Sequence, residues 1–424
     1  MAPIEDHPLR YKLSNELHAR PFPTLDVPCV GAYLAIKKAE DAASRDRDAD
    51  WTHLIALLDR YGAPHPAAGA THYYGKVGRY WLKWESHTEF VTFTAFEDGL
   101  SERPFDPAEF EVFPEEWLDE APGVRLTSAL IRVVQEQEDA KIAEVLEDWF
   151  VSESLAVNWV LDKTAVTAAD FRIDPAGHMR LAVFVQPDTG ARRLGRIVQR
   201  LCEIETYKSM SMLGLARARD ISKRMTEIDE ELLRLVDDMS GGPSDAESTL
   251  TKLLSLSAEL ENMSAKAAFR FSATRAYEAI VTQRIDVLRE ERFLGRQTFS
   301  EFMMRRFDPA MRTVQATERR LRGMSDRALR AGDLLRTRVD VERQSQNQKL
   351  LESMDRRADL QLRLQKTVEG FSTVAITYYA VSLLMYLAAP TFGALPKALV
   401  GAALTVLVGG IVYLSVRRMR KALE

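Results

Sequence analysis

The sequence predicts an α+β cytosolic domain with a largely antiparallel sheet, followed by a long helical, coiled-coil-like stalk and a two-span transmembrane hairpin. Three observations lead there. Residues 1–188 carry short alternating apolar runs ended by turn residues, the period of half-buried strands. Residues 189–370 carry long stretches of helical periodicity. Residues 371–416 hold two 19-residue runs without a charged side chain, parted by a short segment, in a chain that is otherwise 28% charged.

Charge divides along the same lines. Residues 1–188 hold 18 Lys and Arg against 33 Asp and Glu, residues 189–370 hold 34 against 28, and residues 371–424 hold 5 against 1. The net charge of −5 therefore hides an acidic first half and a basic remainder. All seven histidines lie at or before His178. Cys29 and Cys202 stand far apart, with no metal-ligand spacing, and read as two buried reduced thiols. The N-terminal residues show no basic stretch leading into an apolar run, so no secretory signal is expected.

In the first half the alternation predicts strands at Val30–Ile36, Tyr73–Val77, Tyr80–Trp84, Phe90–Phe96, Arg125–Val134, Ala156–Leu161, Thr164–Ile173 and Met179–Val185. Helical periodicity marks Trp51–Tyr61 and Asp139–Val151. The aromatic and basic run from His72 to Trp84 resembles a base-stacking surface, but the net charge of residues 1–188 favours sheet packing, and no nucleic-acid partner is expected.

Three long helical segments are predicted next, with breaks at 240–245 and 308–309. The second, with Ser244 or Asp245 as its N-cap, is expected to run to about Phe307, and the third starts at Asp308-Pro309 with no further proline until Pro390. As one helix of 81 residues the third would measure about 120 Å. Its apolar stripe steps by three and four through Leu321, Met324, Ala328, Ala331, Leu335 and Val339, fades, and returns at Leu350, Met354, Leu360, Leu364 and Val368. Such a stripe must be covered by the other helices folding back or by identical chains. The arginines between Arg319 and Arg338 alternate with Glu318, Asp326 and Asp333, which reads as a solvated helix face.

The hairpin is expected to comprise a first span at residues 371–389, an external loop at 390–397, a second span at 398–416 and a basic tail at 417–424. Nineteen helical residues measure about 28 Å, close to the thickness of a bilayer core. Arg356, Arg357, Arg363 and Lys366 precede the first span and Arg417, Arg418, Arg420 and Lys421 follow the second, while the loop carries Lys397 alone. Basic flanks stay cytoplasmic, so both termini should face the cytosol. In the first span Tyr378, Ser382 and Tyr386 share one arc, either lining a path or bonding between packed helices. In the second, Gly401, Thr405 and Gly409 recur every four residues, which suits close helix packing.

Two stretches could bind ligands. Ten acidic residues fall between Glu97 and Glu120, and Asp98, Glu102, Asp106, Glu109, Glu115 and Glu116 are candidate oxygen ligands for Mg²⁺ or another divalent cation, or else a solvated loop. Near the start, Leu13–Pro23 gathers Asn15, Glu16, His18 and Arg20, suited to acid–base or ligand work or to a structural clasp. No Walker loop, dinucleotide fingerprint, HExxH or GxSxG is present, so the sequence predicts no enzyme and no firm cofactor.

The segments LSNELHARPF and LQLRLQKTVEGFSTVAITYYAVSLL resemble a bacterial family of uncharacterised membrane-anchored proteins, the domain of unknown function numbered three-four-two-two. The resemblance covers the chain and implies a bacterial inner-membrane protein embedded in lipid. The order and length of the parts also resemble the CorA-type divalent-cation channel family, whose members are pentamers with the first span lining the pore. That likeness implies a homo-oligomer, a pentamer if it holds, that passes or senses divalent cations. The family's Gly-Met-Asn motif is absent here, where Leu387-Ala388-Ala389-Pro390 stands instead. The alternative is a non-conducting scaffold whose cytosolic domain recruits a protein. A cysteine introduced at Ala394 is expected to react with membrane-impermeant thiol reagents from the periplasmic side only; labelling from the cytosolic side would invert the orientation.

Overall fold

The structure, a computed structural model, describes residues 4–11, 13–14, 22–39, 45–240, 246–388 and 397–423. It divides into two units, Met1–Ser240 with Lys252–Arg330, and Gly241–Thr251 with Ala331–Glu424. The loop expected at 390–397 and the residues Asn15, Glu16, His18 and Arg20 lie outside the described residues, save for Lys397 as the first residue of the last helix.

The first unit is α+β. Its strands are β1 (Cys29–Lys37), β2 (His72–Val77), β3 (Tyr80–Ser86), β4 (Phe90–Asp98), β5 (Val124–Gln135), β6 (Ala156–Val160), β7 (Ala165–Ala169), β8 (Met179–Val185) and β9 (Glu291–Arg292). They form one sheet in the order β2-β3-β4-β1-β5-β8-β7-β6-β9. Every pairing is antiparallel except β5 with β8, so the sheet is mixed. The eight strands read from the alternation are present, but the strand expected through Ile173 ends at Ala169. There Asp170 turns inward to bond Val151 N and Arg180, and Phe171 takes a left-handed φ of 52°.

One face of the sheet carries the main core. Leu34, Ile36, Leu82, Trp84, Val91, Phe93 and Leu130 point to it from the strands. It is covered by α1 (Arg47–Arg60), a short 3-10 helix (Pro107–Val112), α2 (Glu115–Asp119) and α3 (Asp139–Trp149). Each covering element places apolar residues at helical spacing: Leu54, Leu57 and Leu58 from α1, Ile142 and Leu146 from α3. Trp117 stacks on His53 at 3.9 Å between centroids and donates to the His53 carbonyl at 2.8 Å. Each buried aromatic contributes about 1.5–3 kcal/mol of transfer free energy.

The opposite face is covered by α4 (Ala191–Ser240), whose Leu194, Ile197, Val198 and Leu201 are buried and which packs against β5 and β8. The second helical segment does not run unbroken to Phe307. It ends as α5 (Ala246–Asp286), and the chain then makes β9 and restarts as α6 (Phe299–Arg306). Thr298 and Glu301 cap α6 reciprocally, and Arg289, Leu294 and Gly295 take positive φ in the connection. The final helices are α7 (Asp308–Ala388) of 81 residues and α8 (Lys397–Leu423).

Within the first unit α4, α5 and the start of α7 lie together. Arg224 of α4 forms two hydrogen bonds to Glu259 of α5, at 2.6 and 2.7 Å, and Asp229 of α4 accepts from Arg320 and Arg327 of α7 at 3.1 and 2.6 Å. The arginines read as a solvated face thus also pair between helices. The stripe Leu321, Met324, Ala328, Ala331, Leu335 and Val339 is buried throughout, whereas Leu350, Met354, Leu360, Leu364 and Val368 are all exposed.

The α4–α5 contact depends on a missing side chain. A Cβ on Gly214 would stand 2.2 Å from the hydroxyl of Thr274, itself buried. Alanine gains about 1 kcal/mol of helix propensity over glycine, but overpacking costs about 1–3 kcal/mol. Gly214→Ala is expected to lower the thermal stability of the full-length protein, and Thr274→Ala in the same chain to restore part of the loss. A single variant as stable as the parent would contradict this contact.

Candidate functional site

Strand alternation places a polar layer between the sheet and α4. On β3, Leu82 and Trp84 point into the main core, so Lys83 and Glu85 point to the other side, where both are buried. Register sets Lys83 beside Thr94 and Thr94 beside Tyr33, and Glu85 beside Thr92, giving a polar patch on an otherwise covered face. Lys83 pairs with Glu85 at 3.1 Å and donates to Gln199 of α4 at 2.5 Å; Gln199 bonds Glu203 at 2.9 Å. Glu203 accepts from Arg284 of α5, and Tyr33 shares a hydrogen bond with Thr206. The cavity among these groups is about 20 Å³, room for about one water.

Burial is the leading cause of the shifts in this layer. It pushes the Cys202 thiol and the Tyr33 hydroxyl upward, so both stay protonated. Cys29, also buried and free, is pushed up to about 12 by burial, helped by Asp98 and Asp26. Beside the layer Glu89, in the β3–β4 turn, accepts from Tyr277 at 2.9 Å and from Arg270, both on α5. Every charge here has a partner, so the layer fixes the docking of α4 and α5 and leaves little space for a ligand. The alternation of β3 carried this signal in sequence, since a lysine and a glutamate two residues apart share one strand face.

The acidic stretch does not gather into a cation site. Among the described residues no group of three or more His, Cys, Asp or Glu side chains could hold a metal ion. Asp98 ends β4 opposite Cys29, Glu102 is exposed, and Asp106 caps the 3-10 helix by accepting from Ala108 N at 3.0 Å. Glu115 and Glu116 open α2, and Glu116 pairs with Arg60 at 2.9 Å. Glu97 pairs with Arg79 at 3.1 Å. Glu109 turns inward, accepting from Ser101, while Arg132 approaches it at 4.0 Å and donates to the Ser101 hydroxyl at 2.9 Å.

In the second unit the two apolar helices pack on each other. Cβ atoms added at Gly401 and Gly409 would meet Met385 at 3.8 Å and Thr377 at 3.6 Å, so both glycines face α7. Thr405 does not share that role: it is exposed and its hydroxyl donates to the Gly401 carbonyl at 2.7 Å. Val408 is the buried residue of that stretch. On α7, Ser382 is half-buried, whereas Tyr378 and Tyr386 are 69% and 85% exposed. At the other end of the pair, Lys366, Glu369 and Thr373 of α7 face Tyr413, Val416 and Arg417 of α8 across an open cleft of about 540 Å³. Both helices are long and apolar enough to cross a membrane.

A family model described as "Protein of unknown function (DUF3422)" matches residues 5–423. The chain belongs to this family. The DUF3422 match spans the α+β unit, the long helices and the apolar pair alike. No curated protein and no solved structure matches the chain, and nothing in the comparisons points to the CorA-type channels.

Burial holds the Glu109 carboxyl up at about 7, against an ordinary value of 4.5. The folded state therefore keeps this proton after the unfolded chain has released it. Stability falls as pH rises from about 4.5 to about 7, by at most on the order of 3 kcal/mol from this group. Glu290, which bonds Ser300 N at the start of α6 and is likewise pushed up to about 7, acts in the same direction. Urea unfolding across this range should show the decline, and Glu109→Gln should remove roughly half of it.

Proposed function

We propose that the chain is a membrane-anchored protein of the bacterial inner membrane. In this reading α7 and α8 cross the bilayer as a hairpin with both ends on the cytosolic side, and the α+β unit recruits a protein partner there. The observation that carries it is the uncovered apolar surface of the two helices. Phe371, Val374 and Leu387 of α7 are 74%, 70% and 73% exposed, and Leu399 and Val406 of α8 are 69% and 78% exposed. In water each such side chain would cost about 25 cal/mol per Å² of apolar area, and lipid removes that cost. The basic flanks support the orientation. The exposed residues Leu350, Met354, Leu360, Leu364 and Val368 favour a homo-oligomer, since identical helices would cover them.

The acidic residues support recruitment over ion sensing, because Asp106, Glu109 and Glu116 are each engaged in holding the fold. A second reading, an oligomeric path for divalent cations, is favoured by Tyr378 and Tyr386, whose hydroxyl-bearing faces remain exposed to further copies of α7. Reconstituting the purified full-length protein in liposomes separates the two. The anchor reading expects Mg²⁺ entry no faster than into empty vesicles; faster entry at any Mg²⁺ concentration would overturn it in favour of a path.

A further inference from the structure

We infer that the cleft at the open end of the α7–α8 pair is a binding site for the headgroup of an anionic phospholipid with a phosphodiester, of the phosphatidylglycerol class. The inference rests on the hairpin reading and adds a ligand to it.

The cleft is amphipathic in the direction a lipid requires. Its rim carries Lys366 and Arg417, both exposed, and among the described residues neither has an ion-pair or hydrogen-bond partner. Arg343, Arg338 and Arg363, farther from the apolar run, are instead paired with Glu247, Glu342 and Asp359. Its wall is made of Gly370, Thr373 and Val416, small or apolar, so the space between the helices stays open. A Cβ built on Gly370 meets no atom within 4 Å, which shows that the opening continues to the backbone there.

Position along the helices fits as well. Lys366 precedes Phe371, the first residue of the expected first span, by five positions, about 7.5 Å along the axis, and Arg417 directly follows the second uncharged run. Both cations therefore lie where the bilayer passes from acyl chains to headgroups. Tyr413, one turn before Arg417, occupies the depth at which tyrosine is enriched in membrane proteins.

Charge selects the ligand. Two cations and the carboxylate of Glu369 give the cleft a net charge of +1, matching a singly charged phosphodiester. Glu369 accepts from Gln365 at 3.3 Å and has lone pairs left for hydroxyl groups of a headgroup, while it repels a doubly charged phosphate monoester. Basic pockets between spanning helices on the cytoplasmic side are the chemistry by which such lipids are held.

The test uses the full-length protein in detergent with mixed phosphatidylcholine, phosphatidylethanolamine and phosphatidylglycerol, and measures lipid retained through washing by mass spectrometry. Phosphatidylglycerol should be retained preferentially. The variant K366Q/R417Q should lose at least about tenfold of that retention. G370L, which fills the cleft without altering charge, should lose it too, while R418Q, outside the cleft, should not. Equal retention of phosphatidylethanolamine, unchanged retention in G370L, or full displacement by millimolar inorganic phosphate would overturn the site. Flotation with pure phosphatidylcholine vesicles tests the hairpin separately: all variants should float, and a wild-type chain that stays in solution would remove the membrane reading instead.

Discussion

The α+β unit is organised by a sheet buried on both faces. One face meets the constraint in the ordinary way, with aliphatic and aromatic side chains under short helices. The other is met by α4, a helix of 50 residues, and the strands present Lys83, Glu85, Thr92 and Thr94 to it. A buried charge without a partner costs several kcal/mol, so the helices over this face have to bring matching groups, and Gln199 and Glu203 of α4 and Arg284 of α5 do so. The polar layer therefore fixes the seating of α4 in a way that apolar packing, which tolerates sliding, would not.

That layer also explains which parts could be read from sequence. Strands with one apolar face announce themselves by alternation, and the eight of residues 29–185 did. β9 did not, because Glu291 and Arg292 carry no apolar pattern and are defined only by pairing with Trp159 and Asn158. The break between α5 and α6 was hidden for a related reason. It contains no proline, and its turn conformations fall on Arg289 and Leu294 as well as on Gly295. The signal that was present, Thr298 three residues before Glu301, is the capping-box pattern. The acidic stretch misled by adjacency: ten neighbouring carboxylic acids are ten separate problems when Arg60, Arg79 and Arg132 arrive from elsewhere in the fold.

In the apolar pair, composition revealed the helices but not their facing sides. Spacing of four made Thr405 the partner of Gly401 and Gly409, but spacing does not say which side chains of a row meet the neighbouring helix and which bond to their own backbone. Gly401 and Gly409 face α7 and Val408 is buried, whereas Thr405 is exposed and its hydroxyl is satisfied by its own backbone. The exposed stretch from Leu350 to Val368 shows the complementary case, a periodic pattern with no cover among the described residues.

β9 carries a consequence for how the protein is made. The outer border of β6 is closed by residues that leave the ribosome more than a hundred positions later. Until then the nascent sheet has an open hydrogen-bonding rim, which Glu291 and Arg292 seal together with the bonds from Val157 N to the Gln297 carbonyl and from Leu161 N to the Leu288 carbonyl. A fragment cut after β8 would be born with that rim permanently bare and with the lysine–glutamate face unroofed, a form prone to self-association.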